Sequence, residues 1–284
     1  MMKIKLVLFI SLFLCEIHAQ EFVYHKQFRN VSKMRSIDSA NLRIYYALNA
    51  TDIKDPGSYD DFQRLEVGRD FSLYYSYFSF QSDSLCTTKI LDSRMRCSNR
   101  SGKKAYYWSE YFYTDYLKDF STNILTEFTY MPFNIPNTQF SEEIPIQNWN
   151  LHNETTYIFE YLTQKATCSF RGRNYTAWFA VEIPINNGPW KFGGLPGLIL
   201  KVYDEENMFT FEAVKIELFD EPFPIKMHEI NYSFQTQNNF QRYRKLMSDI
   251  WEDFFRIAGF TRSGDGPPLP TNPSGSYQPL ELER

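Results

Sequence analysis

Between residues 157 and 218 the chain reads as strand after strand with no helical period between them, and this pattern limits the fold more than any other feature. Tyr157, Phe159 and Tyr161 alternate with Ile158 and Glu160, and the strand is expected to run on to Phe170. Arg171-Gly172-Arg173-Asn174 supplies a four-residue turn in which Gly172 is free to take φ > 0, and residues 175–183 return as a second strand. Residues 198–203 form a short apolar run of the kind found in buried strands. After the polar turn 204–207, Phe209, Phe211 and Ala213 share one parity, and Val214, Ile216 and Leu218 the other. A parity switch of this sort implies a bulge that re-aims the strand.

Strands joined by short turns pair antiparallel rather than in βαβ units. Earlier in the chain, Leu42, Ile44, Tyr46 and Leu48 alternate in the same way, and residues 71–80 and 106–111 read as further strands. Residues 130–145, with three prolines, read as an irregular crossing. One helix stands out. Phe240, Tyr243, Met247, Ile250, Phe254 and Ile257 recur at steps of three and four, with Asn238 or Asn239 as a cap and Gly259 as the stop. The expected fold is mainly β: an antiparallel meander curled into a half-barrel or barrel, with one C-terminal amphipathic helix packed on it.

The N-terminus reads as an export signal over residues 1–19. Lys3 and Lys5 precede an apolar run, and Ala19 offers a small residue at the cleavage point. The apolar run is about half of the ~20 residues that a spanning helix needs. Residues 20–260 are then one β-rich domain, and 261–284, rich in Pro, Gly and Ser, a flexible tail. An exported chain meets oxidising conditions, so Cys86 and Cys97 are candidates for a disulfide, with all-free thiols as the alternative. Cys168 is read as strand packing.

Net charge of −4 gives no basic excess for nucleic acid. No spacing of His, Cys or carboxylates implies a metal or a cofactor. The acidic turn 204–207 lacks the spaced ligands and glycine of a calcium loop, so a solvated turn is expected there. Residues 193–197 do not form a phosphate loop, because a strand and not a helix follows the glycines. Pro196 and Gly197 instead fit the central positions of a type II turn, with φ > 0 at Gly197. Arg171 and Arg173 offer two guanidiniums to an anion, or are exposed turn residues. Trp178 and Trp190 could line an apolar groove, or pack in the core.

The run Gly194-Leu195-Pro196-Gly197-Leu198-Ile199-Leu200 resembles the signature of the GLPGLI family. Lys165-Ala166-Thr167, Phe170-Arg171-Gly172-Arg173, Ala177-Trp178, Gly188-Pro189-Trp190-Lys191-Phe192 and the near-terminal Pro279-Leu280-Glu281-Leu282-Glu283 stand in that family's order. Many members carry a cysteine where this chain has Thr163. The resemblance implies an exported protein of Bacteroidota, periplasmic, outer-membrane-associated or secreted, without established catalytic residues. It also implies a TonB-dependent receptor or another envelope protein as partner. On this reading the protein is a non-enzymatic binding or accessory protein. An apolar ligand, lipid or peptide would lie against a wall formed by residues 161–203, near Trp178, Trp190, Arg171, Arg173 and Lys165. The alternative is an envelope hydrolase, which requires Lys165, Arg171, Arg173, Glu182 and Lys191 to converge in a cleft.

Overall fold

The computed structural model describes residues 29–90, 113–131, 135–228, 234–253, 257 and 278–283, and for 89 and 90 the backbone only. The expected export signal, Cys97 and the strand expected at 106–111 lie outside these residues. Along the chain the elements are β1 (Met34–Leu48), β2 (Asp61–Gly68), β3 (Phe71–Ser76), α1 (Tyr77–Ile90), β4 (Thr114–Asp119), β5 (Ile124–Thr129) and β6 (Thr138–Glu143). There follow β7 (Asn150–Ile158), β8 (Tyr161–Phe170), β9 (Arg173–Ala180), β10 (Leu198–Asp204), β11 (Thr210–His228), β12 (Gln235–Thr236) and α2 (Phe240–Glu252). Among the described residues, no helix is long and apolar enough to cross a membrane.

All twelve strands join one sheet, in the order β12-β6-β5-β4-β3-β2-β1-β11-β10-β9-β8-β7. It is two meanders, β1 to β6 and β7 to β11, fused where β1 pairs antiparallel with β11. Among the described strands, only the β12–β6 pair is parallel. β6 and β7 lie ten places apart in this order, about 48 Å in a flat sheet at ~4.8 Å per strand. Yet only residues 144–149 connect them, a reach of about 25 Å. The sheet must therefore curl until its two ends approach each other. It does not close, since β7 and β12 remain its edges. A curled, open sheet is the half-barrel form of the expected fold.

Strand alternation sets the two faces. Leu42, Ile44, Tyr46 and Leu48 of β1 point into the concave side and join one large core with Tyr74, Tyr116, Leu125, Phe179 and Val202. The switch of parity in β11 is a bulge: Tyr45 faces Lys215 and Tyr46 faces Ala213, so Val214 is the extra residue. On the convex side α1 covers β2 and β3. The Arg64 guanidinium lies 4.8 Å from the rings of Tyr75, Tyr77 and Phe80. Arg29 ties α1 to β4 through Asp83 (2.6 Å) and Asp115 (2.9 Å). α2 starts at Asn239, whose Oδ1 accepts from Arg242 N at 2.9 Å. Its buried stripe, Tyr243, Met247 and Ile250, meets Tyr113, Tyr130 and Met131, and Tyr243 shares a 2.8 Å hydroxyl hydrogen bond with Thr129 of β5.

Several local expectations are corrected. The aromatic run 71–80 is a strand only to Ser76 and then becomes α1. The crossing 130–145 contains β6. The strand expected from 157 to 170 turns back at Phe159 and Glu160, with Ile158 paired to Tyr161 and Phe159 at φ 53°. The turn after Phe170 has two residues and not four. Phe170 pairs with Arg173, and Arg171 (φ 52°) and Gly172 (φ 78°) both take the left-handed conformation that two-residue type I′ hairpins require. α2 is capped at Asp253, and the expected stop at Gly259 lies outside the described residues. The tail is docked over residues 278–283, where Leu280 and Glu281 are buried.

Gly197 is needed for a different reason from the one expected. It does not have positive φ; the left-handed glycine of the motif is Gly194, at φ 82°. A Cβ on Gly197 would instead lie 2.1 Å from the carbonyl oxygen of Ala180. Gly197→Ala is expected to lower stability by about 2 kcal/mol or more, seen as a fall in Tm of about 5 °C. An unchanged Tm would contradict this backbone approach.

Candidate functional site

The segment between β9 and β10, residues 181–197, does not cross the rim of the sheet but enters the concave side. Trp190, Lys191 and Phe192 are almost wholly buried there. Trp190 holds φ 53°, an uncommon left-handed conformation for an aromatic residue. Its ring meets Phe170 and Phe192 edge-on at centroid distances of 5.7 and 5.2 Å. The segment is fixed to the opposite half of the sheet by two lysines, one its own and one from β4.

Lys191 Nζ is fully enclosed. It contacts Glu127 of β5 at 2.6 Å, Glu142 of β6 at 2.9 Å, and Glu281 from the C-terminal segment. Arg171 adds a second cation, 2.5 Å from Glu142 and 3.8 Å from Glu281. One oxygen from each of the three carboxylates lies within 4.8 Å of the others, a spacing a metal ion can bridge. The ammonium already contacts all three, so an ion would have to displace Lys191.

Lys118 is the second anchor. In β4, Thr114, Tyr116 and Lys118 share the inward parity. Lys118 Nζ donates to Asn187 Oδ1 at 2.8 Å and to the Phe192 carbonyl at 2.7 Å. It pairs with no carboxylate among the described residues, and burial lowers its pKa to about 7. Asn187 Oδ1 also accepts from Gly188 N at 2.9 Å, which fixes the amide's orientation. Its Nδ2 is buried without an acceptor.

Both groups line a cleft of about 410 Å³ between the end of β4, the β6–β7 connection and the inner segment. The remaining lining combines apolar Val67, Phe120, Ile144, Ile146 and Ile185 with polar Asn123, Asn186 and Lys191. A neutral Lys118 amine has two N–H groups, both in use; the ammonium has a third. The cleft therefore combines apolar walls with two unused donors, Asn187 Nδ2 and the third Lys118 N–H. That combination suits an apolar molecule with one acceptor or anionic end. A second hollow of about 670 Å³, bordered by Tyr59, Phe62, Tyr157 and Phe159, has polar lining only from exposed or half-exposed Lys54, Glu212 and Lys215.

The residues singled out from sequence fall into two groups. Trp190, Arg171 and Arg173 are on the inner side. Arg173 is buried against Asp204 at 3.1 Å, so that residue is part of an internal ion pair and not of a solvated turn. Neither arginine is an exposed turn residue awaiting an anion; both are engaged by carboxylates of the chain. Trp178 and Lys165 are cross-strand neighbours on the outer face, where Lys165 pairs with Glu154. Trp178 and Trp190 therefore do not line one groove. Lys165 and exposed Glu182 also stand apart from Arg171, Arg173 and Lys191, so the polar set required of a hydrolase does not converge.

Gly194 and the following residues to Leu200 carry the inner segment back into β10, with Leu195, Leu198, Ile199 and Leu200 buried. Cys86 is buried and disulfide-bonded; pairing with Cys97 lies outside the described residues. Cys168 is a free, buried thiol of β8, and burial pushes its pKa up to about 12. Lys118 and Asn187 were not singled out from sequence. The inward parity of Thr114, Tyr116 and Lys118 was the available signal.

A family model described as a protein of unknown function (Porph_ging) matches residues 171–201. The matched stretch carries Arg171, Asn187, Trp190, Lys191 and the motif 194–200. No curated protein matches the chain. Among solved structures, PNGF-II in the P21 space group has 14% identity and a TM-score of 0.46, covering 73% of this chain and 32% of that one. PNGF-II in the C2 space group has 14% identity and a TM-score of 0.42, covering 72% and 32%. The chain thus spans about a third of the length of these structures, and likeness at this level carries no functional conclusion.

The buried Lys118 makes a pH prediction. Its folded pKa is depressed, so above pH 7 the unfolded chain holds a proton that the folded chain has lost. Its burden on stability is complete below pH 7 and is relieved as the pH rises toward 10.5. Relative to Lys118→Met, the native protein is expected to gain about 1.4 kcal/mol per pH unit above pH 7 in urea unfolding. Parallel stability curves for the two proteins would refute the assignment.

Proposed function

We propose that the protein is an exported, GLPGLI-like accessory protein of the bacterial cell envelope. It binds an amphipathic molecule, with an apolar body and one anionic end, in the cleft beside Lys118. The observation that carries this reading is the pair of donors at the cleft, Lys118 Nζ and Asn187 Nδ2, the latter buried without an acceptor among the described residues, beside the apolar side chains of Val67, Phe120, Ile144, Ile146 and Ile185. Buried polar groups without partners are rare in folded proteins, and a ligand acceptor would satisfy Asn187 Nδ2 and take the third N–H of the Lys118 ammonium. The Lys3/Lys5 signal-like N-terminus and the 194–200 motif support export. An outer-membrane TonB-dependent receptor or another envelope protein is the partner in this proposal, receiving or delivering the bound molecule.

One observation favours an enzyme instead. A lysine with a pKa of about 7 is partly neutral at physiological pH and can act as a base. A hydrolase built on Lys118 would turn its ligand over, whereas a carrier would retain it.

Decanoate is a suitable probe, tested by equilibrium binding and native mass spectrometry. The carrier reading predicts one decanoate per chain, weaker binding of decanol, and at least about tenfold weaker decanoate binding in Lys118→Gln. Because the anion binds the ammonium form, affinity is also expected to fall between pH 6.5 and 8.5. Equal binding by native protein and Lys118→Gln, or binding indifferent to pH, would refute it.

A further inference from the structure

The C-terminal residues 279–283 lie along the protein as a peptide ligand would. Pro279 O accepts from Arg173 Nη2 at 3.0 Å, Leu282 N donates to Arg171 O at 2.9 Å, and Leu282 O accepts from Arg244 Nη1 of α2. Between these backbone bonds, Leu280 is 2% exposed and enters the main core. Glu281 places its carboxylate on Lys191 Nζ, with Arg171 Nε 3.8 Å from its second oxygen. The groove wall is cut back to admit the segment, since a Cβ on Gly172 would lie 2.8 Å from Leu282 Cβ.

This is the anatomy of extended-peptide recognition. Main-chain hydrogen bonds hold any extended segment, and a pocket for one side chain and a charge for the next give selectivity. Residues 258–277, rich in Pro, Gly and Ser, join this segment to the end of the helical region. Arg244, within α2, already touches Leu282, so the connection is longer than the return path needs.

We propose that the groove formed by the β8–β9 turn, Lys191 and α2 is a peptide-recognition site. The chain's own C-terminus occupies it in cis, and it accepts in trans an extended apolar–acidic–apolar segment of another protein. The acidic residue takes the place of Glu281 on Lys191, and the apolar residue before it takes the place of Leu280. The proposal does not rest on a ligand in the cleft beside Lys118, although Lys191 borders both.

The test uses the full-length chain with a protease site placed within residues 264–270, cut after folding. The probe is a fluorescent peptide of residues 275–284. The cut protein is expected to stay folded and to exchange its fragment for the probe saturably. A probe carrying Glu281→Gln should bind at least about tenfold more weakly. The uncut chain should bind the probe more weakly than the cut chain, because its own C-terminus competes for the groove. Unfolding on cleavage, failure of the fragment to exchange, or equal binding of the two probes would each overturn the proposal.

Discussion

The buried ammonium of Lys191 brings Glu127, Glu142 and Glu281, from three separate parts of the chain, to one point. An isolated lysine at zero exposure would be strongly destabilising. Here Glu127 and Glu142 from one half of the sheet and Glu281 from the C-terminus surround it, with Arg171 beside them. Desolvation makes such a cluster a weak source of net stability, but breaking it by removing one member is costly because the others are left buried and uncompensated. Its main effect is specificity. It fixes where the inner segment lies, how closely the ends of the curled sheet approach, and where the C-terminus docks.

The cleft follows from that placement. With Lys191 held below, residues 186–194 are set against β4, and Lys118 reaches Asn187 and Phe192 from the other side. The two lysines differ in kind. Lys191 has charge partners and serves as a tether. Lys118 has carbonyl acceptors, and burial lowers its pKa to about 7. The proposed ligand site therefore lies at Lys118, whose ammonium has a third N–H beyond its two acceptors.

The strands were legible where one face meets the core and the other does not. The alternation in β1 and the parity switch at Val214 follow directly from burial, and the helix around Tyr243, Met247 and Ile250 from its period. The helix α1 was not legible, because its start continues an aromatic run with no helical stripe. The turn at Phe159 has neither Gly nor Pro to mark it. The site was mostly hidden. A lysine in a strand reads as solvent-facing, and only the inward parity of Thr114 and Tyr116 argues otherwise for Lys118. The partners of Lys191 are 64, 49 and 90 residues away, so no local pattern can reveal them. The resemblance did draw attention to the right segments, 188–192 and 279–283, without saying that they touch.

The most direct test of this account is urea unfolding of Lys191→Met, alone and combined with Glu127→Gln. If the ammonium organises the interior, Lys191→Met loses about 3–5 kcal/mol, and neutralising Glu127 in that background recovers part of the loss. If Lys191→Met stays within about 0.5 kcal/mol of the native protein, the cluster is incidental and the account fails.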